Sequence, residues 1–437
     1  MLHAFERLAK FCVLWSMSFL STVPAGRLLR AWSAPVAAGM LLAACNSGTD
    51  SSAGKTTAPD AAATSAAAAP VVADTPPWYH QYRGVLPGSS DSITVHLQHL
   101  GETPGETTLG RLAGFYTAAD GHPYQLAGDQ PTGTDSLNLR DISREQATGT
   151  SDGTEWLLKK KGTSLVGTLN GKPLQLRLVR NPTGVQFSAR SFSEDVLPRP
   201  DHPEDSIAAH LSMYALVPTA GPSQEKLAAN IVRGLRGDTL ETKPAPSLDA
   251  LWKEQLAYFT KEYRKEVAPL MADMAKDTSD YRPRASLAYE QEANSYVLWN
   301  DGNLLSIGYF GYDYSGGAHG LYGTYVRSYD TRTGRALRFD DIFRAGTKPQ
   351  LESILGRYAR PALGLKDSEP LKSALFQNTL PATRNVYLTS GGAVFVYLPY
   401  EVASYAQGEI SVFVPYSALQ PILKPGLPIS GGTVASR

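Results

Sequence analysis

Apolar and polar residues alternate along the segment 78–193, and this alternation predicts short β-strands. Ile93, Val95 and Leu97 alternate with polar neighbours, and similar runs follow at the roughly 8–12-residue spacing that is typical of all-β domains. Asn170-Gly171, between two such runs, is typical of a two-residue hairpin turn. Many short strands without a helical pattern predict an all-β meander over 78–193, closed as a small barrel or built as a sandwich.

The second half of the chain has a different pattern, in which helices and strands are expected together. Apolar residues at helical spacing predict helices over 223–237, 247–269 and 349–361, the first two capped by Ser223 and Ser247. The predicted strands cover 207–216, 295–299, 304–312, 322–329, 336–339, 386–389, 393–398 and 410–414. Because the helices segregate from the strands without β-α-β alternation, the sequence predicts an α+β domain with an antiparallel sheet over 207–423.

Two further segments are expected to lie outside these domains. The segment 194–206 holds three prolines and five acidic residues, a composition typical of a linker. The last residues, 424–437, are expected to form a C-terminal tail.

The N-terminal residues carry features of an exported protein. The apolar run 31–44 follows basic residues and is shorter than the roughly 20 residues of a membrane-spanning helix. The small residues directly before Cys45 resemble the lipobox of bacterial lipoproteins, in which this cysteine carries the lipid. The resemblance implies a signal peptide over 1–44, and the alternative is an ordinary buried cysteine. Two apolar runs in 1–44 leave open whether translation starts at Met1 or Met17.

The segment 45–77 is expected to be a disordered tether between the lipid and the folded part. It is rich in Ser, Thr, Ala, Gly and Pro and has almost no large apolar residue to bury. Asn46 follows the cysteine where lipoproteins retained at the inner membrane have Asp, which favours the outer membrane or the periplasmic face in a diderm host.

Composition excludes several classes of function. The 437 residues contain 41 basic and 41 acidic side chains, so no broad positive field supports a nucleic-acid partner. Two cysteines are too few for a disulfide framework or a cysteine metal cluster. His96 and His99 lie three residues apart on a predicted strand and therefore point to opposite faces. No metal and no cofactor is predicted.

Two ordered motifs in the second half carry a family resemblance. The first, Tyr312–Gly320, reads YDYSGGAHG, and the second, Leu398–Gly408, reads LPYEVASYAQG. Both resemble the RsiV-type extracellular domain, which the RsiV anti-sigma factor shares with PdaC-like peptidoglycan deacetylases, and the match covers about 207–420. The sequence contains no deacetylase domain, so the resemblance implies only the shared envelope module, which binds or senses a ligand.

These motifs supply the candidate ligand-binding residues. They are Tyr314, Ser315, Gly316, Gly317, His319, Gly320, Pro399, Tyr400 and Glu401. Closely spaced glycines allow a ligand to approach the backbone, and tyrosine rings suit stacking on sugars. Ser315 and His319 are also readable as nucleophile and base, although no Gly-x-Ser-x-Gly elbow is present. The third interpretation is that this loop is a turn with a purely structural role.

The sequence therefore predicts a non-enzymatic, lipid-anchored lipoprotein of the cell envelope. Its expected partners are a peptidoglycan fragment or a muramidase such as lysozyme. The alternatives are an envelope hydrolase acting at the loop of Ser315 and His319, and a structural envelope protein without a ligand.

Overall fold

The structure is a computed structural model that describes most of the chain after residue 75. It covers residues 76–101, 111–118, 120–131, 133–143, 154–180, 183–205, 207–221, 223–238, 244–276 and 284–429. The predicted signal peptide, the two candidate start residues, Cys45 and the tether up to residue 75 lie outside these residues. Within the described ranges, no helix is both long enough and apolar enough to cross a membrane.

The first eight strands form a closed barrel. They are β1 (Trp78–Val85), β2 (Ser92–His99), β3 (Leu112–Thr117), β4 (Pro123–Asp129), β5 (Ser136–Asp141), β6 (Glu155–Lys161), β7 (Ser164–Leu169) and β8 (Lys172–Leu178). Each strand pairs antiparallel with the next, and β1 also pairs with β8, with Tyr82 opposite Leu178. Asn170 and Gly171 both have positive φ angles, as the predicted two-residue turn requires. Of the two predicted architectures, the structure shows the barrel.

The next six strands form a second sheet. They are β9 (Gln186–Val196), β10 (Ala209–Ala220), β11 (Glu290–Asp301), β12 (Leu304–Tyr314), β13 (Leu321–Asp330) and β14 (Arg335–Leu337), in the spatial order β14-β13-β12-β11-β10-β9. Every neighbouring pair is antiparallel except β10 and β11, which run parallel. The prediction of an antiparallel sheet is wrong at this pair. Two helices connect β10 to β11 and provide the long crossover that parallel neighbours need.

The helices are α1 (Gln224–Arg236), α2 (Leu248–Met274), α3 (Phe339–Ile342), α4 (Lys348–Ala362) and α5 (Tyr416–Leu419). The three predicted helices, α1, α2 and α4, begin within a residue or two of their predicted starts, whereas the short helices α3 and α5 were not predicted. Ser247 caps α2, since its hydroxyl accepts a hydrogen bond from the backbone N–H of Ala250 at 3.1 Å. The cap predicted at Ser223 is wrong, because this residue has a φ of 59° and its hydroxyl donates to the carbonyl of Arg332.

The helix α2 also passes through the proline that was expected to end it. Pro269 lies inside the helix, which continues to Met274. Val267 and Met271, on either side of this proline, are buried against Leu211 of the sheet. The burial of these side chains offsets the backbone hydrogen bond that proline cannot donate.

A smaller sheet closes the fold at the C-terminal end. It consists of β15 (Val386–Leu388), β16 (Gly392–Tyr397) and β17 (Ile410–Pro415), in that spatial order and antiparallel. Leu427 and Ile429 pack against the core that this sheet shares with α4, and the N–H of Lys424 donates to the carbonyl of Ile342 at 2.8 Å. The first residues of the predicted tail, 424–429, are therefore part of the fold.

The boundary between the barrel and the second sheet lies earlier than the sequence predicts. The strand β9 was divided between the predicted meander, 78–193, and the predicted linker, 194–206. In the structure β9 pairs with β10 from Val196, opposite Ala209, to Gln186, opposite Ala220. Proline and acidic residues can follow an edge strand directly, so the composition of 194–206 marks the end of β9 rather than a domain boundary.

The barrel packs directly against the six-stranded sheet. The side-chain amide of Gln98 donates to the carbonyl of Ser295 at 3.2 Å and accepts from the N–H of Val297 at 2.6 Å. Beside this contact, the ring of Phe115 stacks on the ring of Tyr296 with centroids 5.3 Å apart. These three sheet residues are buried, so the barrel covers part of the face of the sheet on which Tyr296 lies.

Candidate functional site

The two sequence motifs come together at the end of the hairpin between β12 and β13. His319, in the hairpin loop, stacks on Tyr405, which begins a short 3₁₀ helix after β16, with ring centroids 4.1 Å apart. The hydroxyl of Tyr405 donates to the carbonyl of Gly320 at 2.8 Å. His319 Nδ1 lies 2.9 Å from the same carbonyl, so Gly320 holds both rings. Two loops that are 85 residues apart in sequence are thereby joined.

Two more tyrosines surround this stacked pair. Tyr322 contacts Tyr405 edge-on with ring centroids 5.8 Å apart, and Tyr400 lies 5.5 Å from Tyr405. The side chain of Tyr400 is 54% exposed, and its φ of 68° lies in the left-handed region. This backbone conformation costs a residue other than glycine about 1–2 kcal/mol. We call the group of His319, Tyr322, Tyr400 and Tyr405 the aromatic platform.

The glycines of the first motif shape the loop that carries His319. Gly316 and Gly317 have φ angles of 89° and 105°, which favour glycine over other residues. The hydroxyl of Tyr314 donates to the carbonyl of Gly317 at 3.2 Å and braces the loop. Half-buried Ser315 precedes these glycines. Tyr314, Gly316 and Gly317 therefore position the exposed ring of His319.

Ser315 and His319 are not arranged as a nucleophile and its base. Such a pair needs a serine–histidine hydrogen bond and a carboxylate on the other ring nitrogen. Nδ1 of His319 instead faces the carbonyl of Gly320. Across the ranges that the structure describes, His319 has no hydrogen bond to Ser315 or to a carboxylate. The geometry at His319 is that of a stacking group.

Pro399, Tyr400 and Glu401 form a tight turn. A carboxylate oxygen of Glu401 accepts from the N–H of Leu398 at 2.9 Å, and the N–H of Glu401 donates to the carbonyl of Leu398 at 3.0 Å. The carboxylate of Glu401 is therefore used to hold the turn. Of the three residues predicted here as ligand-binding, Tyr400 presents the exposed ring.

A row of side chains runs from the platform across the sheet and ends at a buried acid. Tyr322 on β13 lies opposite Tyr312 on β12, which lies opposite Glu292 on β11. Glu292 is only 2% exposed, and burial raises the pKa of its carboxyl to about 7. Burial likewise raises the pKa of Tyr312 and of Tyr322 to about 12. These phenols are neutral at physiological pH.

A second acid, Glu409, holds the edge of β13 beneath the platform. Its carboxylate accepts hydrogen bonds from both the backbone N–H and the hydroxyl of Thr324, the latter at 2.9 Å. Burial raises the pKa of Glu409 to about 7. Asn385 completes this edge, since its amide accepts from the N–H of Val326 and donates to the carbonyl of Thr324. The side chains of Glu409 and Asn385 thus make the hydrogen bonds to β13 that the backbone of a neighbouring strand would make.

Four residues of this site are absent from the candidates chosen from the sequence, namely Tyr322, Tyr405, Glu292 and Glu409. Tyr405 lies within the second motif, and its position there was the available signal. Glu292 and Glu409 have no local signal, because a carboxylate in an alternating strand looks like an ordinary solvent-facing residue. Only the packing of other elements around them reveals that they are buried.

Part of this region is similar to a known protein family. Residues 340–417 match the family model described as "Protein of unknown function (DUF3298)". The matched segment contains Tyr400 and Tyr405 and begins after His319. No curated protein matches the chain.

Two solved structures of that family are similar to part of the chain. One is a DUF3298 family member from Bacteroides fragilis, with 24% identity, a TM-score of 0.48, and coverage of 56% of this chain and 96% of that chain. The other is a DUF3298 family protein from Pseudomonas aeruginosa, with 21% identity, a TM-score of 0.38, and coverage of 56% and 97%.

Proposed function

We propose that this chain is a lipid-anchored protein of the cell envelope that binds a cell-wall glycan through the aromatic platform. The observation that carries the proposal is the exposed ring of Tyr400, held in a left-handed backbone conformation beside the stacked rings of His319 and Tyr405. Strained residues with exposed aromatic rings are typical of binding sites, because the strain costs stability that a structural role does not require.

The rings suit a sugar ligand in both shape and charge. A sugar presents an apolar face that stacks on an aromatic ring and hydroxyls that hydrogen-bond at its rim. The carbonyl of Gly317, two residues before His319, accepts from the hydroxyl of Tyr314 and has a second lone pair for such a hydroxyl. Neutral phenols at Tyr312 and Tyr322 keep the floor uncharged. Peptidoglycan glycan is the ligand that fits the envelope location implied by the lipobox-like sequence.

A muramidase such as lysozyme is the second candidate partner. The observation that favours it is the resemblance of the motifs Tyr312–Gly320 and Leu398–Gly408 to the RsiV-type extracellular domain. That domain belongs to an anti-sigma factor that binds lysozyme. In this proposal the same exposed Tyr400 contacts the protein surface of the muramidase.

The anchor is proposed at Cys45, after removal of residues 1–44. The tether that follows would hold the barrel and the platform away from the membrane surface. Cys45→Ser should move the protein from the membrane to the soluble fraction and abolish labelling by a clickable fatty acid. Unchanged membrane partitioning of this variant would contradict the anchor without bearing on the platform.

Binding is tested with the full-length chain extracted in detergent. The affinities for insoluble peptidoglycan and for lysozyme are measured separately, with Tyr400→Ala, His319→Ala and the control Tyr258→Ala, whose ring is 66% exposed on α2. Each platform variant should weaken binding of one partner about tenfold, which corresponds to about 1.4 kcal/mol. The control should bind like the unmodified chain.

The alternatives give different results in the same experiment. Equal affinity of all variants for both partners would contradict the platform and favour a structural protein. Release of soluble sugar from peptidoglycan by the unmodified chain, abolished in His319→Ala, would instead favour the hydrolase.

A further inference from the structure

A small pocket lies on the opposite side of the sheet from the aromatic platform. It is formed where the C-terminal end of α1 meets β13 and the residue that precedes α3. Tyr325 lines this pocket, whereas Tyr322 belongs to the platform. Residues three apart on a strand point to opposite faces, so the sheet separates the two places.

Three arginines converge on this pocket. Arg233 comes from the last turn of α1, Arg327 from β13, and Arg338 from the residue directly before α3. One carboxylate, Asp238, also lines the pocket, and it is already hydrogen-bonded to the guanidinium of Arg236. The lining is therefore strongly positive.

Arg327 is the unusual member of the three. Across the described ranges it has no hydrogen bond and no ion pair. Burial lowers the pKa of its guanidinium, and the neighbouring Arg338 and Arg384 lower it further, while the phenols of Tyr309 and Tyr329 act in the opposite sense. The nearby acid Asp340 is engaged with Arg384. Arg327 is half-buried, and among the described residues no carboxylate is paired with it, so a bound anion would compensate a partly desolvated charge.

The remaining lining residues define the size and the polarity of the pocket. The hydroxyls of Tyr309 and Tyr329 hydrogen-bond to each other at 2.6 Å, and the amide oxygen of Asn230 accepts from Arg233 at 2.9 Å. The cavity has a volume of about 40 Å³. Since about 10–15 Å³ measured in this way holds one water molecule, the cavity has room for about three oxygen-sized atoms.

We propose that this pocket binds one oxyanionic group, a carboxylate or a phosphate, of a small molecule. Guanidinium groups match the oxygens of both anions with paired hydrogen bonds, and three of them converging on so small a cavity suit a single such group. Arg327 is the central cation, because the other charged side chains around it are arginines or already paired acids. The site is independent of the aromatic platform and adds a second ligand to the chain.

Thermal unfolding of the full chain tests the proposal with defined probes. Sodium phosphate and sodium acetate are titrated separately at constant ionic strength, with sodium chloride as the reference salt. A ligand that binds only the folded state raises the melting temperature in a saturable way. We expect a rise of a few degrees with at least one oxyanion, and the probe that produces it identifies the preferred chemistry.

Variants assign the effect to the pocket. Arg327→Gln should lose the oxyanion-dependent rise and, in chloride, should melt at or above the temperature of the unmodified chain, because an unpartnered cation has been removed. Arg338→Gln should reduce the rise, and Arg83→Gln, an exposed arginine of the barrel, should retain it in full.

Three results would overturn the proposal. They are equal shifts in chloride and in both oxyanions, a full oxyanion shift in Arg327→Gln, or a melting temperature of Arg327→Gln in chloride several degrees below that of the unmodified chain. The last result would mean that Arg327 already has a stabilising partner. The oxyanion test is independent of the peptidoglycan and lysozyme experiments, because the residues changed in the platform variants do not line the pocket.

Discussion

Replacing Glu292 by glutamine should remove the part of the pH dependence of stability that this carboxyl contributes, while the similar contribution of Glu409 remains. One carboxylate oxygen of Glu292 accepts from the side-chain amide of Asn294, and the other oxygen is buried without a hydrogen-bond partner. The amide oxygen of Asn294 is also buried without a partner. When the carboxyl of Glu292 is protonated, its O–H can donate to the amide oxygen of Asn294. Both of these buried oxygens then have a hydrogen-bond partner. Glutamine at position 292 offers the same donor and acceptor permanently.

The size of the effect follows from the pKa of this carboxyl. Burial raises the pKa of Glu292 from 4.5 to about 7 in the folded state. Because the folded state holds this proton more tightly than the unfolded chain, the contribution of Glu292 to stability is greatest at low pH and is lost as the pH rises from about 4.5 through 7. Between pH 5 and pH 8 the loss amounts to about 2–3 kcal/mol, nearly all of it absent in Glu292→Gln.

Urea unfolding at pH 5, 6, 7 and 8 measures this difference. The free energy of unfolding of the unmodified chain is compared at each pH with that of Glu292→Gln and of Glu254→Gln, an exposed glutamate on α2. The difference in unfolding free energy between the unmodified chain and Glu292→Gln should change by about 2–3 kcal/mol from pH 5 to pH 8. Glu254→Gln should show the same pH dependence as the unmodified chain. Parallel pH profiles for all three proteins would refute the protonated state of Glu292.

Substitutions at four further positions test local features of the structure by urea unfolding. Tyr400→Gly should be about 1 kcal/mol more stable than Tyr400→Ala, because glycine adopts the positive φ without strain, and equal stabilities would contradict that strain. Gly234→Ala should lose about 1–3 kcal/mol, since the added Cβ would lie 2.2 Å from Cζ of Tyr309; a neutral result would place the helix farther from the sheet. Ser247→Ala should lose about 1 kcal/mol and Ser223→Ala clearly less, and equal losses would mean that both serines act as caps.

The domain boundary shows how composition can mislead. Three prolines and five acids made 194–206 look like a linker, yet Glu194, Asp195 and Val196 pair with β10. An edge strand tolerates such residues because one of its sides needs no partner. The last barrel strand ends at Leu178 and β9 begins at Gln186, so the boundary lies between them, where Asn181-Pro182 and Gly184 are the turn-forming residues of the sequence.

The site illustrates a different difficulty. Its first motif and Tyr400 were recognisable because closely spaced glycines and tyrosines stand out in the sequence. Tyr405 gains its role only from contact with His319 and with Gly320, and Gly320 lies 85 residues away from it in sequence. The arginine pocket had no signal at all, because Arg233, Arg327 and Arg338 come from three separate elements.

The sequence by itself determined most of the local structure. The alternation of Val95 and Leu97 with polar residues, the Asn170-Gly171 turn and the Ser247 cap depend on neighbours within a few residues, so the pattern of the chain contains the information. The approximate positions of the three longer helices followed in the same way.

The tertiary structure decided which elements meet and which side chains lose water. Closure of the barrel, the parallel pairing of β10 with β11 and the continuation of α2 past Pro269 each depend on contacts between residues that are distant in sequence. The same holds for the raised pKa of Glu292 and the lowered pKa of Arg327, because desolvation is a property of everything packed around a group. A sequence pattern records what each residue prefers, whereas burial depends on the whole fold.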